Sequence, residues 1–251
     1  MKISIITVTF NSISFINDCL NSVEEQKYDD VEHIIIDGAS TDGTLSLLKS
    51  KQKQFKALIS EPDKGIYDAM NKGLKIAKGD IICFLNSDDF YINENVLSKV
   101  VKIFKNDPDL DACYSDLIYV EQYNTSRIVR YWKSCEFKSD LFSKGWCPPH
   151  PAFFVRRSIY QKFGNFNLRY RIASDVELMM RFLEVNKIKS NYIPETWIKM
   201  RVGGASNKNI INIYRSNKEV LYALKSHKLP HNFMSFFINK FISRGLQYII
   251  K

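Results

Sequence analysis

Val31-Glu32-His33-Ile34-Ile35-Ile36-Asp37-Gly38-Ala39-Ser40-Thr41-Asp42-Gly43-Thr44 holds the pattern on which the fold turns. The apolar run closing at Ile36 reads as a buried strand, and the small and polar residues after it read as a turn. Thr44 then opens a helix that the pattern carries to about Gln54. The same strand-then-helix unit stands on both sides. Upstream, Lys2–Val8 is rich in β-branched residues, as in a strand buried on both faces. Ser14 reads as the cap of a helix to about Gln26, with Ile16, Leu20 and Val23 on one face. Downstream come a short strand Ala57–Ser60, a helix from about Gly65 to Ala77, and a strand Ile81–Leu85. Such repetition predicts right-handed crossovers and a mostly parallel, Rossmann-like α/β sheet flanked by helices. In sheets of that kind ligands bind outside the carboxyl ends of the strands, so those ends are the places to search.

The chain of 251 residues, 45% hydrophobic, suffices for one compact domain, or one domain and a short appendage. The expected division is a catalytic domain over 1–205 and a basic, amphipathic helical segment over 206–251. Runs such as Ile3–Val8 and Ile81–Leu85 are too short to span a bilayer, and the N-terminus reads as a first strand rather than a signal peptide. The five cysteines form no Cys-x-x-Cys pair, which points to a reducing cytoplasm instead of a disulfide framework or structural zinc. A formal charge of +9 fits nucleic acid, anionic lipid, a phosphorylated substrate, or no partner at all.

Beyond residue 90 the pattern changes. A helix is expected around Val96–Phe104, then strands around Ala112–Val120 and Arg127–Tyr131. Gly145–Pro151 reads as a rigid loop, with Pro148, Pro149 and Pro151 around His150. Ala152–Val155 resumes as strand, and Asp175–Val185 reads as an amphipathic helix.

Three acidic clusters carry the chemistry. Asp37, at a strand end before small residues, can accept hydrogen bonds from a base or ribose. Asp42 serves equally as a helix cap. Asn86-Ser87-Asp88-Asp89 follows the strand Ile81–Leu85. Its adjacent carboxylates repel one another unless solvent or a hard cation such as Mg²⁺ or Mn²⁺ intervenes, and that ion would bridge to a diphosphate. A solvated turn is the rival reading. Asp175-Val176-Glu177 opens a helix, where acidic residues complement the dipole, yet a carboxylate there can also deprotonate an acceptor hydroxyl.

Taken together, Thr7-Val8-Thr9-Phe10-Asn11, the Asp37–Thr44 block, Glu61-Pro62-Asp63-Lys64-Gly65, Asn71-Lys72-Gly73 and Leu85–Asp89 resemble the inverting family 2 glycosyltransferases of the glycosyltransferase A fold, of the bacterial polysaccharide-biosynthesis type. The likeness is densest over 1–90 and continues through His150, Phe153-Phe154, Ser174-Asp175 and Gly203-Gly204-Ala205-Ser206. It implies that Thr9 lines the nucleotide pocket and that Asp37 binds the nucleobase, usually uracil. It also implies that Asp63 and Lys64 hold the nucleotide part. Asn86-Ser87-Asp88 occupies the Asp-x-Asp position, with Asp88 as metal ligand for Mn²⁺ or Mg²⁺, and Asp175 matches the general base. Asn86 stands where the family has Asp, so the site carries one negative charge fewer.

The implied reaction is a single displacement. A hydroxyl of a glycan or lipid-linked acceptor attacks a nucleotide-sugar donor with inversion, and the bound diphosphate leaves without a general acid. His150 and Trp146 would touch the acceptor or the diphosphate, or merely pack. Arg201 and the stretch from Gly203 would close over the donor phosphates, with an ordinary turn as the rival. In the tail, Phe233, Phe237 and Phe241 form an apolar stripe beside Lys225, Lys228, Lys240, Arg244 and Lys251. That stripe suits either packing or peripheral contact with the inner face of the cell membrane. A dehydrogenase or nucleotidyltransferase would need a glycine-rich phosphate loop after the first strand, and Thr9-Phe10-Asn11-Ser12 offers none. Acidic strand ends argue against a nucleic-acid-binding protein.

Overall fold

The computed structural model describes residues 1–203 and 210–249. Its first half repeats strand and helix: β1 (Ile3–Thr9), α1 (Ile16–Glu24), β2 (Val31–Asp37), α2 (Thr44–Ser50), β3 (Ala57–Ser60), α3 (Ile66–Ile76) and β4 (Ile81–Phe84). Then follow β5 (Phe90–Tyr91), α4 (Val96–Asn106), β6 (Ala112–Val120), β7 (Ile128–Trp132), β8 (Phe153–Arg156) and α5 (Arg157–Phe163). The chain continues through α6 (Ser174–Met180), a π turn over Arg181–Val185, β9 (Ser190–Arg201), α7 (Ile210–Ser226) and α8 (Phe233–Ile249).

All the strands join one nine-stranded sheet in the order β3-β2-β1-β4-β8-β6-β9-β5, with β7 beside β6. The expected α/β sheet is present. Its purely parallel part is the N-terminal run, where β1 pairs in parallel with β2 and β4, and β2 with β3. The rest is mixed, since β8 runs antiparallel to both β4 and β6, whereas β6 and β9 are parallel.

Strand alternation assigns the two faces of the core. Ile6 and Val8 pack with Ile34, Ile36, Ile82 and Phe84 under α3 and α6. On the opposite face Ile3 and Ile5 pack with Ile81, Cys83 and the buried stripe of α4, namely Val96, Leu97, Val100, Val101 and Phe104. Glu32 ties the parallel strands together at their start. It is buried and accepts hydrogen bonds from Ser4 Oγ (2.5 Å), Lys78 N (2.5 Å) and Gly79 N (3.1 Å). Gly79 has to be glycine, because a Cβ there would lie 2.5 Å from the Ser4 backbone nitrogen.

Several elements depart from the sequence reading, among them β5, which the pattern does not predict, and the helix expected over Asp175–Val185, which turns to π geometry after Met180. The helix expected to be capped by Ser14 starts instead at Ile16, with Phe15 at the cap and no side-chain cap bond. α5 and the long strand β9 carried no signal that alternation could detect. Pro194 interrupts β9, and the ladder with β6 steps from Ser115↔Ile193 to Asp116↔Thr196 around it. The boundary expected at 205 falls outside the described residues. α7 packs on α6, and α8 on β7 and the turn Phe142–Lys144. Among the described residues no helix is long and apolar enough to cross a membrane.

His33 lies buried in β2 with its Nε2 2.9 Å from Thr7 Oγ1, and burial pushes its pKa down to about 3. In the unfolded chain the ordinary value is about 6.5, so below that pH the unfolded state binds a proton that the folded state refuses. Stability conferred by neutral His33 is therefore complete above about pH 6.5 and declines as pH falls toward the folded value. Urea unfolding of wild type and His33→Gln at about pH 7 and about pH 5 should show the variant losing less stability on acidification, by about 2 kcal/mol.

Candidate active site

The parallel register pairs Thr9 with Asp37 and Ile6 with Phe84, so the carboxyl ends of β1, β2 and β4 lie side by side. Three loops leave there and hold one another. Asn11 accepts from Thr41 N (2.9 Å) and donates its backbone N–H to Ser40 Oγ (2.8 Å). Ser87 Oγ donates to Ser12 Oγ at 2.9 Å. Asp42 accepts from Thr44 N, Thr44 Oγ1 and Ile13 N, so its carboxylate serves the turn and the start of α2.

Above these ends opens a cavity of about 750 Å³. Of the residues predicted from sequence, Thr9, Asp63, Asn86, Ser87, Asp88, Trp146, His150 and Asp175 border it. Asp37, Lys64 and Arg201 do not border it. Asp37 is fully buried one layer behind, and its carboxylate accepts from Ser40 N (3.1 Å), Ser40 Oγ (2.5 Å) and Ser60 Oγ (2.6 Å). Lys64 is exposed, and only its backbone N–H is engaged, with Asp68. Arg201 is buried behind the loop after β4, where it donates to Asp88 O (2.9 Å), Gln122 O (3.0 Å) and the Asp18 carboxylate. Its guanidinium also lies over the rings of Phe15 and Phe90. Residues 204–206, expected as part of a closing loop, lie outside the described residues.

The two adjacent carboxylates of the loop after β4 separate in the fold. Asp89 turns inward, fully buried, and accepts from Asn86 Nδ2 at 2.9 Å. Burial, and then the charge of Asp88, push its carboxyl well above the usual range. Asp88 stays at the cavity, its pKa raised by burial and pulled back by Arg201. Burial of Asp89 thus favours its neutral form, which weakens the repulsion anticipated between the pair.

Four side-chain atoms of cavity-lining residues are buried without a hydrogen-bond partner: Thr9 Oγ1, Asn86 Oδ1, Trp146 Nε1 and His150 Nε2. Buried polar atoms of this kind are costly unless something completes them. His150 stacks on Phe84 at 5.3 Å and meets Phe166 edge-on at 5.5 Å; burial lowers its pKa, so the ring is neutral at pH 7. Trp146 packs among Tyr114, Phe137 and Phe142.

Two side chains bonded at or beside Asp175 escaped the sequence reading. Tyr67, read only as part of the helix from about Gly65 to Ala77, donates from its hydroxyl toward Asp175 Oδ1 (2.8 Å) and Ile172 O (2.7 Å). Burial and the Asp175 charge raise its pKa well above the usual value, so it is a donor throughout the working range. Glu219, in a segment read for its cations, binds the backbone just before α6. The cavity lining also includes the cations Arg130 of β7, Lys133 just after it, Arg171 before α6 and Lys240 of α8.

A family profile described as Glycosyl transferase family 2 matches residues 4–173. The chain belongs to that family. It is a glycosyltransferase, and relatives of known label agree. A PGL/p-HBAD biosynthesis glycosyltransferase of Mycobacterium bovis is 30% identical over 194 residues, covering 76% of this chain and 73% of that one. An uncharacterized glycosyltransferase of Mycobacterium tuberculosis is 32% identical over 184 residues, covering 71% of this chain and 68% of that one.

Solved structures share the fold at lower identity. S. aureus TarS 1-349 in complex with UDP-GlcNAc has a TM-score of 0.69 at 17% identity, covering 89% of this chain and 66% of that one. The mannosyltransferase PcManGT from Pyrobaculum calidifontis, in complex with GDP-Man and Mn2+, has a TM-score of 0.63 at 16% identity. It covers 99% of this chain and 87% of that chain. A longer TarS chain is spanned for only 40% of its length.

Gly38 supplies a test of whether Asp63 belongs to the donor site. A Cβ at that position would lie 2.6 Å from Asp63 Oδ2, whose partner oxygen accepts from Gly65 N at 2.8 Å. Gly38→Ala should displace the Asp63 carboxylate and weaken nucleoside diphosphate binding about tenfold, or roughly 1.4 kcal/mol, by titration calorimetry. The melting temperature should stay within a few degrees of wild type.

Proposed function

We propose that the chain transfers a sugar from a UDP-sugar to a hydroxyl of a glycan or lipid-linked acceptor, with inversion at the anomeric carbon, in cell-surface polysaccharide synthesis. One observation carries this reading. Asp88 and Asp175, far apart in sequence, border the same cavity as four buried polar atoms that await partners. The UDP assignment draws on the family resemblance and on the ligand of the TarS complex, whereas the PcManGT complex holds GDP-Man.

Asp175 acts as general base. Its carboxylate lies at the cavity wall, one oxygen receives the Tyr67 hydroxyl, and it stands in the first turn of α6. The acceptor hydroxyl gives its proton to Asp175 as its oxygen bonds to the anomeric carbon, and the bond to the diphosphate breaks on the opposite face. Thr9 and Asp63 would hold the nucleoside, while Asp37 shapes the nucleobase end from behind by fixing the turn at Ser40. Trp146 Nε1 and His150 Nε2 would contact the acceptor or the diphosphate, and Arg201 supports the Asp88 loop from the rear. Lys64, exposed beside Asp63, would reach the donor only at its outer edge.

The residues fit a divalent ion. Asn86 Oδ1 is a buried oxygen without a partner, and Asp88 adds a carboxylate two residues on. Mg²⁺ and Mn²⁺ take such oxygens, and Mg²⁺ is commonly held by one or two carboxylates with substrate phosphates completing the shell. Among the described residues no cluster of three or more His, Cys, Asp or Glu could hold a metal by itself. When bound, the ion offsets the negative charge of the diphosphate.

α8 exposes Met234, Ile238, Phe241 and Ile242, and no acidic residue follows Glu219 in the sequence. An apolar face among cations suits an anionic leaflet, giving a cytoplasmic enzyme held peripherally at the inner membrane. Co-sedimentation with phosphatidylglycerol vesicles should exceed that with phosphatidylcholine vesicles and drop for Phe241→Ser. Equal recovery on both vesicle types would refute it.

Catalysis is checked on a panel of UDP- and GDP-sugars with and without Mn²⁺. Asp88→Ala should abolish the metal-dependent release of nucleoside diphosphate. Asp175→Asn should bind the donor as wild type does and lose about two to four orders of magnitude in turnover. Full activity of Asp88→Ala excludes the metal assignment, and a collapse of donor affinity in Asp175→Asn would move that residue to the donor site.

A further inference from the structure

Just before α6 the backbone delivers three consecutive N–H groups to one carboxylate from another helix. Glu219 of α7 accepts from Arg171 N at 3.0 Å through Oε1, and from Ile172 N and Ala173 N, each at 2.9 Å, through Oε2. Successive backbone donors of this kind make an anion-binding concavity. Ala173 stands at the start of α6 and offers no capping side chain, so Glu219 supplies a carboxylate from outside. α7 is itself fixed to this region, since His227 Nε2 lies 2.8 Å from Glu177 Oε1 and Tyr170 Oη 3.2 Å from Ser226 Oγ.

The bond from Ala173 N has a chemical consequence. Its peptide unit also contains the Ile172 carbonyl, which accepts the Tyr67 hydroxyl at 2.7 Å. The same hydroxyl lies 2.8 Å from Asp175 Oδ1. A phenol has one proton, so Ile172 O and Asp175 compete for it. A charge-assisted bond at the N–H end polarises the peptide and makes its carbonyl the better acceptor.

We infer that Glu219 is a positioning residue for Asp175, drawing the Tyr67 proton toward Ile172 and so keeping the Asp175 carboxylate basic. The inference rests on Asp175 being the base, as read above. Glu219 lies beyond residues 4–173, the part that the family profile matches. Several charged or titratable groups surround Asp175. Tyr67 comes from α3, His150 from the turn before β8, Glu219 from α7, and Arg171 and Glu177 from its own segment, with Asp63 and Asp88 at the same cavity. Glu219 and Tyr67 are the ones that the described hydrogen bonds link to it in a chain.

Glu219→Gln keeps the shape and removes the charge. The assay is UDP release to water, with Mn²⁺, from the UDP-hexose that wild type turns over fastest. The variant should lose about tenfold in kcat, while donor KM and UDP affinity stay within about twofold. A Tyr67 proton shared more with Asp175 stabilises the charged carboxylate, so the acid limb of the kcat profile should move to lower pH. Tyr67→Phe should move that limb to higher pH. In the Tyr67→Phe background Glu219→Gln should produce no further shift, as a double-mutant cycle requires of groups acting in series.

Wild-type kcat in Glu219→Gln would overturn the inference. So would a joint fall of kcat, UDP affinity and melting temperature, which marks a purely structural link. A pH shift that persists undiminished without the Tyr67 hydroxyl would overturn the route. Asp175→Asn runs alongside. If it keeps its turnover, the base assignment itself fails, whereas an inactive Asp175→Asn beside a fully active Glu219→Gln sinks only the role of Glu219.

Discussion

The backbone ladder that joins β1 to its two parallel neighbours holds Thr9 level with Asp37 and brings the loop after β4 alongside them. Peptide groups buried between layers of helices have no water to turn to, so the ladder is obligatory. Sliding one strand by a single residue would exchange its two faces and move its loop. Glu32 reinforces the same register from the opposite end, binding Ser4 and the turn that precedes β4. The level strand ends make a shared rim, and Thr9, Asp37 and Asn86–Asp88 stand on or just behind it.

Charge is distributed around that rim in layers. Asp88 and Asp175 stand at the cavity, whereas Asp37 and Asp89 lie behind it, Asp37 bonded by Ser40 and Ser60 and Asp89 by Asn86 through one oxygen only. Arg201 sits behind Asp88 and is bound to Asp18, which accounts for a buried cation that does not reach the cavity. Partnered charges set the shape of the loops, and four of the unsatisfied buried atoms belong to residues that border the cavity. This division fits the physics of burial, since an unpaired charge deep in the fold costs far more than one at a wet cavity.

The C-terminal helices complete the site. α7 contributes Glu219 to the backbone before Asp175, and α8 contributes Lys240 and Gln247 to the cavity wall, where Gln247 accepts from Arg130. Gly145, beside Trp146, lies against the Lys240 stem, so the loop bearing Trp146 and His150 is seated on α8. Phe236 is fully buried, which anchors the inner face of α8, while Phe241 remains 82% exposed on the outer face. A single helix thus has a cavity side and a free apolar side.

The sequence by itself determined the parallel half of the sheet, the loops that carry Thr9, Asp63 and Asn86–Asp88, and the helix that opens at Asp175. These features are local. A run of β-branched residues, a turn of small residues and a helix stripe are each written in consecutive positions, and the carboxyl-end rule converts them into a site. Only the tertiary structure decided what those side chains do with their neighbours. It buried Asp37 and Asp89, drew Arg201 behind Asp88, and brought Tyr67 and Glu219 to Asp175. It also carried β9 past Pro194 into the sheet between β6 and the edge strand β5. Hydrogen bonds between residues more than a hundred positions apart, such as Tyr67 to Asp175, leave no periodicity to read. They depend on where packing sets the helices, and that is a property of the assembled core.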